Sequence, residues 1–432
     1  MEKRVVLVYP YFRYKDPVSK LFPPLGIAYL ASQLKEYSID VYVIDCTFET
    51  IDTAVEKIVS LKPAIIGMSI MVSLSRSSFD IAAQLQASLP DTILVAGGAL
   101  PSVYPNHYFR HFDLVFQGES DLIFSRFCRD YLNSSDKIDF LNRIDIHDYP
   151  GICINTSKGI ISSPAVHHDS NILDTLPRPD RSFFPHDLYQ LHWHNSHQTP
   201  QASIMVTRGC PLTCDFCSKP VWGSVYRKLD LDNVFLEIDD IIDYGYERLW
   251  IADDSFTLDL YYLREFCQQK LSRGINIEWT CLSRTRGIDK ETVDLMKEAG
   301  CEKVYLGLES GSDETLRLMG KKSTVQDGID AVKVLTQAGI SAAGFFIVGY
   351  PGETVGSIEK TFSLALSLPL EELSINVPLP LPGSALYSKV CHLNSDEDWE
   401  IASAASFVYK SEHNQDWLKK RIKETLASFK ER

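Results

Sequence analysis

Short runs of consecutive apolar residues alternate with stretches of helical period along most of the chain. Residues 5–9, bounded by Pro10, form one such run and predict a buried strand. Residues 26–36 have helical spacing, and 41–44 predict a second strand ending at Asp45. Residues 53–61 predict an amphipathic helix with Ala54, Ile58 and Leu61 facing inward. Residues 64–69 predict a third strand and 79–89 a helix. Residues 92–96 predict a fourth strand closed by Gly97-Gly98, and 114–116 a fifth closed by Gly118-Glu119. Strands that are apolar throughout and separated by helices indicate a parallel sheet covered on both faces. The expectation for residues 1–145 is therefore an α/β domain, a five-stranded doubly wound parallel sheet. Such a sheet binds ligands at the carboxyl ends of its strands. Those ends, and the loop before the first helix, carry small or polar residues: Pro23-Pro24-Leu25-Gly26, Ser69, Gly97-Gly98 and Gly118-Glu119. Glycine there allows a close approach of backbone to ligand, and equally makes a tight turn. No G-x-G-x-x-G follows the first strand, which argues against a nicotinamide or flavin site.

The pattern breaks between the two halves. Prolines at 150, 164, 177, 179, 185 and 200 punctuate residues 145–200, of which 146–198 are expected to be a linker. Its histidines include His192-x-His194-x-x-His197, which lacks a helical or cysteine-paired setting and reads as a solvated or substrate-facing loop. Alternation then resumes. Strands are predicted at 204–206, 248–252, 276–281, 303–308, 341–348 and 372–377, and helices at 229–244, 260–273, 290–299, 325–338 and 357–368. Six strands alternating with helices across residues 199–390 suit a partial (β/α)6 barrel, with its site at the carboxyl ends of the strands. Residues 391–432 are charged and helix-like, with Trp399 and Trp417 as expected packing anchors.

Composition narrows the function. The chain has 432 residues, 43 Lys+Arg against 57 Asp+Glu, and a formal net charge of −14. That balance disfavours nucleic acid and anionic lipid as main partners. No apolar run reaches the ~18 residues of a membrane span, and the run after Met1 is too short for a signal peptide. Of the ten cysteines, seven are scattered singly and three fall within eight residues. Scattered cysteine in a long chain fits a reducing compartment rather than a disulfide framework. A cytoplasmic location is expected.

The clustered cysteines carry the chemistry. Arg208-Gly209-Cys210-Pro211-Leu212-Thr213-Cys214-Asp215-Phe216-Cys217 follows the barrel's first predicted strand. A Cys-x3-Cys-x2-Cys loop can wrap one iron–sulfur cluster with three thiolates. Four-iron clusters normally take four cysteines, so three leave one iron open for a small molecule. A zinc site needs a fourth ligand, and no second Cys-x-x-Cys follows at finger spacing, which leaves zinc or no metal as minor alternatives. Cys267, Cys281 and Cys301 lie on other units and read as core thiols.

With these residues in place, the sequence resembles the radical S-adenosylmethionine (SAM) superfamily, in the branch with an N-terminal cobalamin-binding, Rossmann-like domain. The resemblance covers roughly residues 1–390. It implies that Cys210, Cys214 and Cys217 hold a [4Fe–4S] cluster whose open iron chelates the amino and carboxylate groups of SAM. It implies that Phe216 contacts adenine. Asp253-Asp254-Ser255-Phe256-Thr257 resembles the segment that receives the SAM amino group, elsewhere Gly-Gly-Glu. Ser283-Arg284 and Gly307-Leu308-Glu309-Ser310 resemble the segments around the ribose and carboxylate, and residues 344–353, with Val348 and Gly349, the stretch beside adenine. Arg284 with Asp254 and Glu309 offers both signs of charge to a carboxylate and a sulfonium.

Ser69-x-Met71 and Gly97-Gly98 match the family positions that line a channel for the cobalamin nucleotide tail. The expected cobalamin contacts are Pro24, Leu25, Gly26, Ser69, Met71, Val72, Gly97, Gly98, Gln117, Gly118 and Glu119. The family's Asp-x-His-x-x-Gly loop is replaced by Pro23-Pro24-Leu25-Gly26, and the first histidine of the chain is His107. A histidine therefore cannot be the lower cobalt ligand from that loop. The resemblance implies reductive cleavage of SAM to a 5′-deoxyadenosyl radical, hydrogen abstraction from an unactivated carbon, and most commonly methyl transfer from methylcobalamin. The alternative is a cyclase, ring-contraction or rearrangement enzyme with the same cofactors and no methyl transfer. A methylthiotransferase would need a second cysteine triplet, and residues 1–145 hold only Cys46 and Cys128. The implied partners are a small-molecule or peptide substrate and an electron donor such as flavodoxin or ferredoxin. No residue is assigned as catalytic acid or base.

Overall fold

The computed structural model describes residues 4–15, 18, 20–134, 136–156, 158–165, 167–390 and 407–432. Cys391 and Trp399 lie outside the described residues. The chain forms two compact units, residues 1–200 with 219–240, and residues 201–218 with 241–432.

The first unit alternates β1 (Arg4–Tyr9), α1 (Leu25–Glu36), β2 (Asp40–Asp45), α2 (Ile51–Leu61), β3 (Ile65–Ser69), α3 (Ser75–Ser88), β4 (Ile93–Gly97), β5 (Leu114–Phe116) and α4 (Asp121–Leu132). The five strands pair in parallel in the order β2-β1-β3-β4-β5. Val5 stands between Val41 and Ile65, and Val5 to Val8 are buried because helices cover both faces. The order reverses between β1 and β3, which opens a crevice at their carboxyl ends. Thr50 and Thr53 close a capping box at the start of α2 and set its register.

The segment expected to be a linker adds to this sheet. β6 (Ile152–Thr156) and β7 (Gly159–Ser162) extend it antiparallel to seven strands. Only Ile152, Cys153 and Ile154 are buried in the hairpin, and all of β7 is exposed. Three apolar residues beside an exposed edge strand leave too little pattern to read. The histidine-rich stretch is likewise not a loop: His192 and His194 lie on α5 (His186–Asn195), which buries Tyr189 and Trp193 one turn apart. The first ten residues of α6 (Leu231–Asp243) also belong to this unit.

The second unit alternates β8 (Gln201–Ile204), β9 (Arg248–Ile251), α7 (Leu260–Ser272), β10 (Glu278–Ser283), α8 (Lys290–Glu298), β11 (Cys301–Glu309), α9 (Asp313–Leu318), α10 (Val325–Gln337), β12 (Ser341–Ile347), α11 (Val355–Ser367) and β13 (Glu372–Asn376). All six strands are parallel and in sequential order, the expected partial barrel. Trp279, wholly buried on β10, packs edge-on against Phe256 and Phe266. Cys267, Cys281 and Cys301 are buried, as core thiols. Beyond β13 come α12 (Ala385–Lys389) and α13 (Gln415–Lys430). Trp417 is only half-buried; the buried face of α13 is Leu418, Ile422 and Thr425, because the Asn414 cap fixes the helix one residue out of that register.

Candidate functional site

The cysteine loop leaves β8 and is braced at both ends. At its start, the buried Asp253 carboxylate accepts the Val206 N–H at 2.8 Å and the Thr207 hydroxyl at 2.7 Å. Burial pushes the Asp253 carboxyl up to about 7, against the lowering effect of these bonds. Further on, the Asp215 N–H donates to Met319 O at 2.9 Å, and Asp215 O accepts the Leu386 N–H at 2.7 Å. The Asp215 carboxylate pairs with Lys389. Gly320 approaches so closely that a Cβ there would stand 2.9 Å from both Thr213 O and Asp215 Oδ1. Phe216 packs against Met319, Tyr350 and Leu386, and the Ser218 hydroxyl donates to Pro382 O at 2.9 Å.

The three thiols run from buried Cys210 through half-buried Cys214 to exposed Cys217. Among the described residues, no group of three or more His, Cys, Asp or Glu side chains is arranged to hold a metal ion as it stands. The donor set itself fits a three-thiolate cluster: all three soft donors sit on one braced loop, and a half-buried cation, Lys321, feels the charge of Cys214 and Cys217.

The carboxyl ends of the barrel strands surround this chemistry with charge. Glu309 ends β11 with φ +63° and bonds Lys321 Nζ at 2.9 Å. Lys321 also donates to Gly307 O at 3.0 Å. A Cβ at Gly307 would lie 2.5 Å from Glu309 Oε1 and 3.0 Å from Lys321 Nζ, so a side chain there would displace this ion pair. Burial works against the Lys321 charge, but Glu309, helped by Cys214 and Cys217, holds its pKa above the ordinary value. Arg284, just past β10, has a buried Nε with no hydrogen-bond partner among the described residues, and so has the Ser255 hydroxyl. A buried donor left unmatched marks a place for an acceptor. Asp254 is exposed.

Four of the residues expected around SAM make hydrogen bonds that brace loops. Asp253 anchors the cysteine loop. The Ser310 hydroxyl shares a hydrogen bond with Thr361 at 3.0 Å and accepts the Ser312 N–H at 3.2 Å. The buried Val348 donates its N–H to Asn376 O. Gly349 donates its N–H to Glu353 Oε2 at 2.7 Å, and a Cβ there would meet Phe407 at 2.7 Å. Glu353 also accepts the Tyr350 N–H, and burial pushes its carboxyl up to about 7.

The first unit holds a cavity of about 240 Å³ at the carboxyl ends of its strands. Of the residues expected to contact cobalamin, Gly26, Ser69, Met71, Gly97, Gly98 and Gly118 line it. Gly98 has φ +99°, and a Cβ would stand 2.8 Å from Ile70 N, so only glycine fits. Pro24, Leu25, Val72, Gln117 and Glu119 are not on the wall. Pro24 and Leu25 open α1, and Val72 opens a single helical turn. Gln117 Nε2 donates to Ser102 O at 2.9 Å. Glu119 is paired with Arg227 in a buried ion pair. Lys321, Trp222 and Arg227 stand in no motif of the sequence, and only tertiary proximity brings them to these places.

Residues 204–365 match the family model described as the Radical SAM superfamily, and residues 16–127 that of the B12 binding domain. The chain is 28% identical over 429 residues to an uncharacterized methyltransferase, PH0819, of Pyrococcus horikoshii, covering 96% of this chain and 89% of that one. It is 24% identical over 410 residues to an anaerobic magnesium-protoporphyrin IX monomethyl ester cyclase of Cereibacter sphaeroides, covering 90% of this chain and 63% of the cyclase. The solved structure of the radical SAM methyltransferase TsrM from Kitasatospora setae, with cobalamin and a [4Fe–4S] cluster, shares the fold with a TM-score of 0.73 at 19% identity, over 90% of this chain and 78% of that one. The cobalamin-dependent radical enzyme OxsB shares it with a TM-score of 0.70 at 20% identity, over 84% of this chain and about half, 51%, of its own. No helix among the described residues is long and apolar enough to cross a membrane.

Proposed function

We propose that this chain, which belongs to the cobalamin-binding branch of the radical SAM superfamily, is a methyltransferase acting on an unactivated carbon of a small-molecule or peptide substrate. The observation that carries the reading is the likeness to the Pyrococcus horikoshii methyltransferase, which runs through both domains and 96% of the chain. The family's cofactors are a [4Fe–4S] cluster, SAM and cobalamin. When bound, they supply an electron, hydrogen abstraction and a transferable methyl group.

The chain's own residues provide the holding. Cys210, Cys214 and Cys217 would hold the cluster as three thiolates on one loop. Asp253, Met319 and Leu386 fix the loop from behind, and Phe216 anchors its tip. Arg284, with its unmatched buried Nε, receives the SAM carboxylate, assisted by Lys321, while Asp254 faces the amino group. The cavity of the first unit takes the cobalamin tail. By domain, residues 1–145 bind cobalamin and residues 199–390 form the SAM barrel except for 219–240, which with 146–198 completes the first unit. A flavodoxin or ferredoxin supplies electrons.

Similarity to the cyclase over 90% of this chain supports a second reading, a ring-forming enzyme with the same cofactors. One experiment separates the two. The enzyme is reconstituted anaerobically and incubated with a metabolite extract and SAM bearing a deuterated methyl group. A mass-labelled product that disappears when Cys214 and Cys217 are both changed to alanine is the expected result. Formation of 5′-deoxyadenosine with no labelled product overturns methyl transfer and leaves the cyclase.

A further inference from the structure

Two residues past Cys217 the chain enters a stretch, 219–240, that belongs to the first unit. Within it, Val221 and Trp222 line the cavity together with Ser69, Gly97 and Gly98 from the strand ends. A dry polar network fixes this stretch. Arg227 and Glu119 have side-chain exposures of 3% and 0% and meet at 2.5 Å. The same guanidinium donates to His168 O at 2.6 Å and to Trp222 O at 3.0 Å. Glu119 Oε2 also accepts the His168 N–H at 3.0 Å. Beside Trp222, Gly223 has φ +65°, and a Cβ there would stand 2.5 Å from His167 Nε2. A desolvated ion pair adds little net stability over an apolar pair of the same shape. What this pair achieves is geometric: it ties the end of β5, beside the cavity-lining Gly118, to the carbonyl of a cavity-lining tryptophan.

We propose that Trp222 is a cobalamin-binding residue, held in the cavity wall by Arg227 and Glu119 as positioning residues. The cavity wall is rich in glycine, at 26, 67, 97, 98 and 118, and Trp222 adds an aromatic ring to it. That pairing suits a planar aromatic group, such as the benzimidazole of the cobalamin nucleotide tail, which offset stacking on an indole favours. The inference rests on reading the cavity as the tail site, which the Proposed function assigns to it.

The test uses the full chain with two probes: hydroxocobalamin, which has the tail, and cobinamide, which lacks it. Wild type is expected to bind hydroxocobalamin more tightly than cobinamide. Trp222→Ala is expected to weaken hydroxocobalamin binding about ten-fold and to leave cobinamide unchanged. Arg227→Met paired with Glu119→Leu, which keeps the site filled without the anchor to the Trp222 carbonyl, is expected to shift hydroxocobalamin alone in the same direction. Iron content after reconstitution should match wild type in both. Ser69→Phe, which fills the cavity, is expected to abolish the preference for the tail. Equal loss of both probes in Trp222→Ala makes the residue merely structural and overturns the proposal. Loss of preference in Ser69→Phe with full retention in Trp222→Ala overturns it while sparing the cavity. A wild type with no preference for the tail overturns the cavity reading and the proposal together. If Trp222→Ala does not fold, Trp222→Phe reads the same comparison with a smaller loss.

Discussion

Asp253 and Glu353 are acids placed where acids are costly, and each holds a loop by accepting backbone N–H groups. Burial raises both from ordinary values near 3.8 and 4.5 to about 7. The folded state therefore binds more protons than the unfolded state between those values. Their contribution to stability is full below about pH 4 and is lost as pH rises through 7, with a slope of up to about 1.4 kcal/mol per pH unit per group. His111 and His186 titrate in the opposite sense, since burial lowers both, so the effect is read as a difference between variants. Asp253→Asn should flatten the fall in denaturant stability from pH 5 to 7 relative to wild type; identical slopes would refute the assignment. Gly320 makes a second case. Its φ of +68° and the 2.9 Å approach of a Cβ to Thr213 O and Asp215 Oδ1 make Gly320→Ala both strained and obstructive at the cysteine loop. Reconstituted iron should fall by more than half. Gly274→Ala has nearly the same φ, +67°, and open space around it, so it should keep its iron. Equal iron in the two variants would show that strain alone, and not the loop contact, matters.

At the scale of elements, α13 closes the second unit through Leu418 and Ile422, which are buried, and through Arg421, which grips both oxygens of Glu359 on α11. Leu418 also presses on the turn at Gly349, which holds Glu353. Leu418→Ala should cost about 2–4 kcal/mol in denaturant unfolding, as for a buried leucine; a change under ~1 kcal/mol would mean the helix is not part of the core. The sequence pointed to Trp417 instead, because a large aromatic outweighs its neighbours in any pattern. The cap at Asn414, one residue of register, decides otherwise. The same physics explains which elements were legible. Strands buried on both faces, such as β1 and β3, announce themselves as apolar runs. The β6–β7 hairpin buries three residues in a row and exposes the rest, so it reads as loop. α5 hides Tyr189 and Trp193 among histidines. The cysteine triplet was legible because all three thiols share one loop. The bracing of that loop by Asp253, Met319 and Gly320 was not, since those contacts join residues tens of positions apart.

At the scale of the whole molecule, the chain crosses between its two units three times, at 200/201, 218/219 and 240/241. The first unit is therefore not a continuous segment. Its buried Glu119 depends on Arg227, and its buried Arg181 depends on Glu237, which also accepts the Tyr29 hydroxyl. Both partners lie in 219–240. Cutting the chain after 198, where the sequence alone places the end of the linker, strands one charge of each pair in a dry interior. Removing one member of a buried pair costs about 3–5 kcal/mol, so two such losses approach about 6–10 kcal/mol. That is comparable with the total stability of an ordinary domain, about 5–15 kcal/mol. A fragment of residues 1–198 should therefore show no cooperative thermal transition and no binding of hydroxocobalamin. A fragment of residues 1–244 restores Arg227, Glu237 and Trp222 and should recover both. If the shorter fragment melts cooperatively and binds hydroxocobalamin as tightly as the longer one, the pairs to 219–240 do not hold the unit together, and the unit ends where the sequence pattern places it.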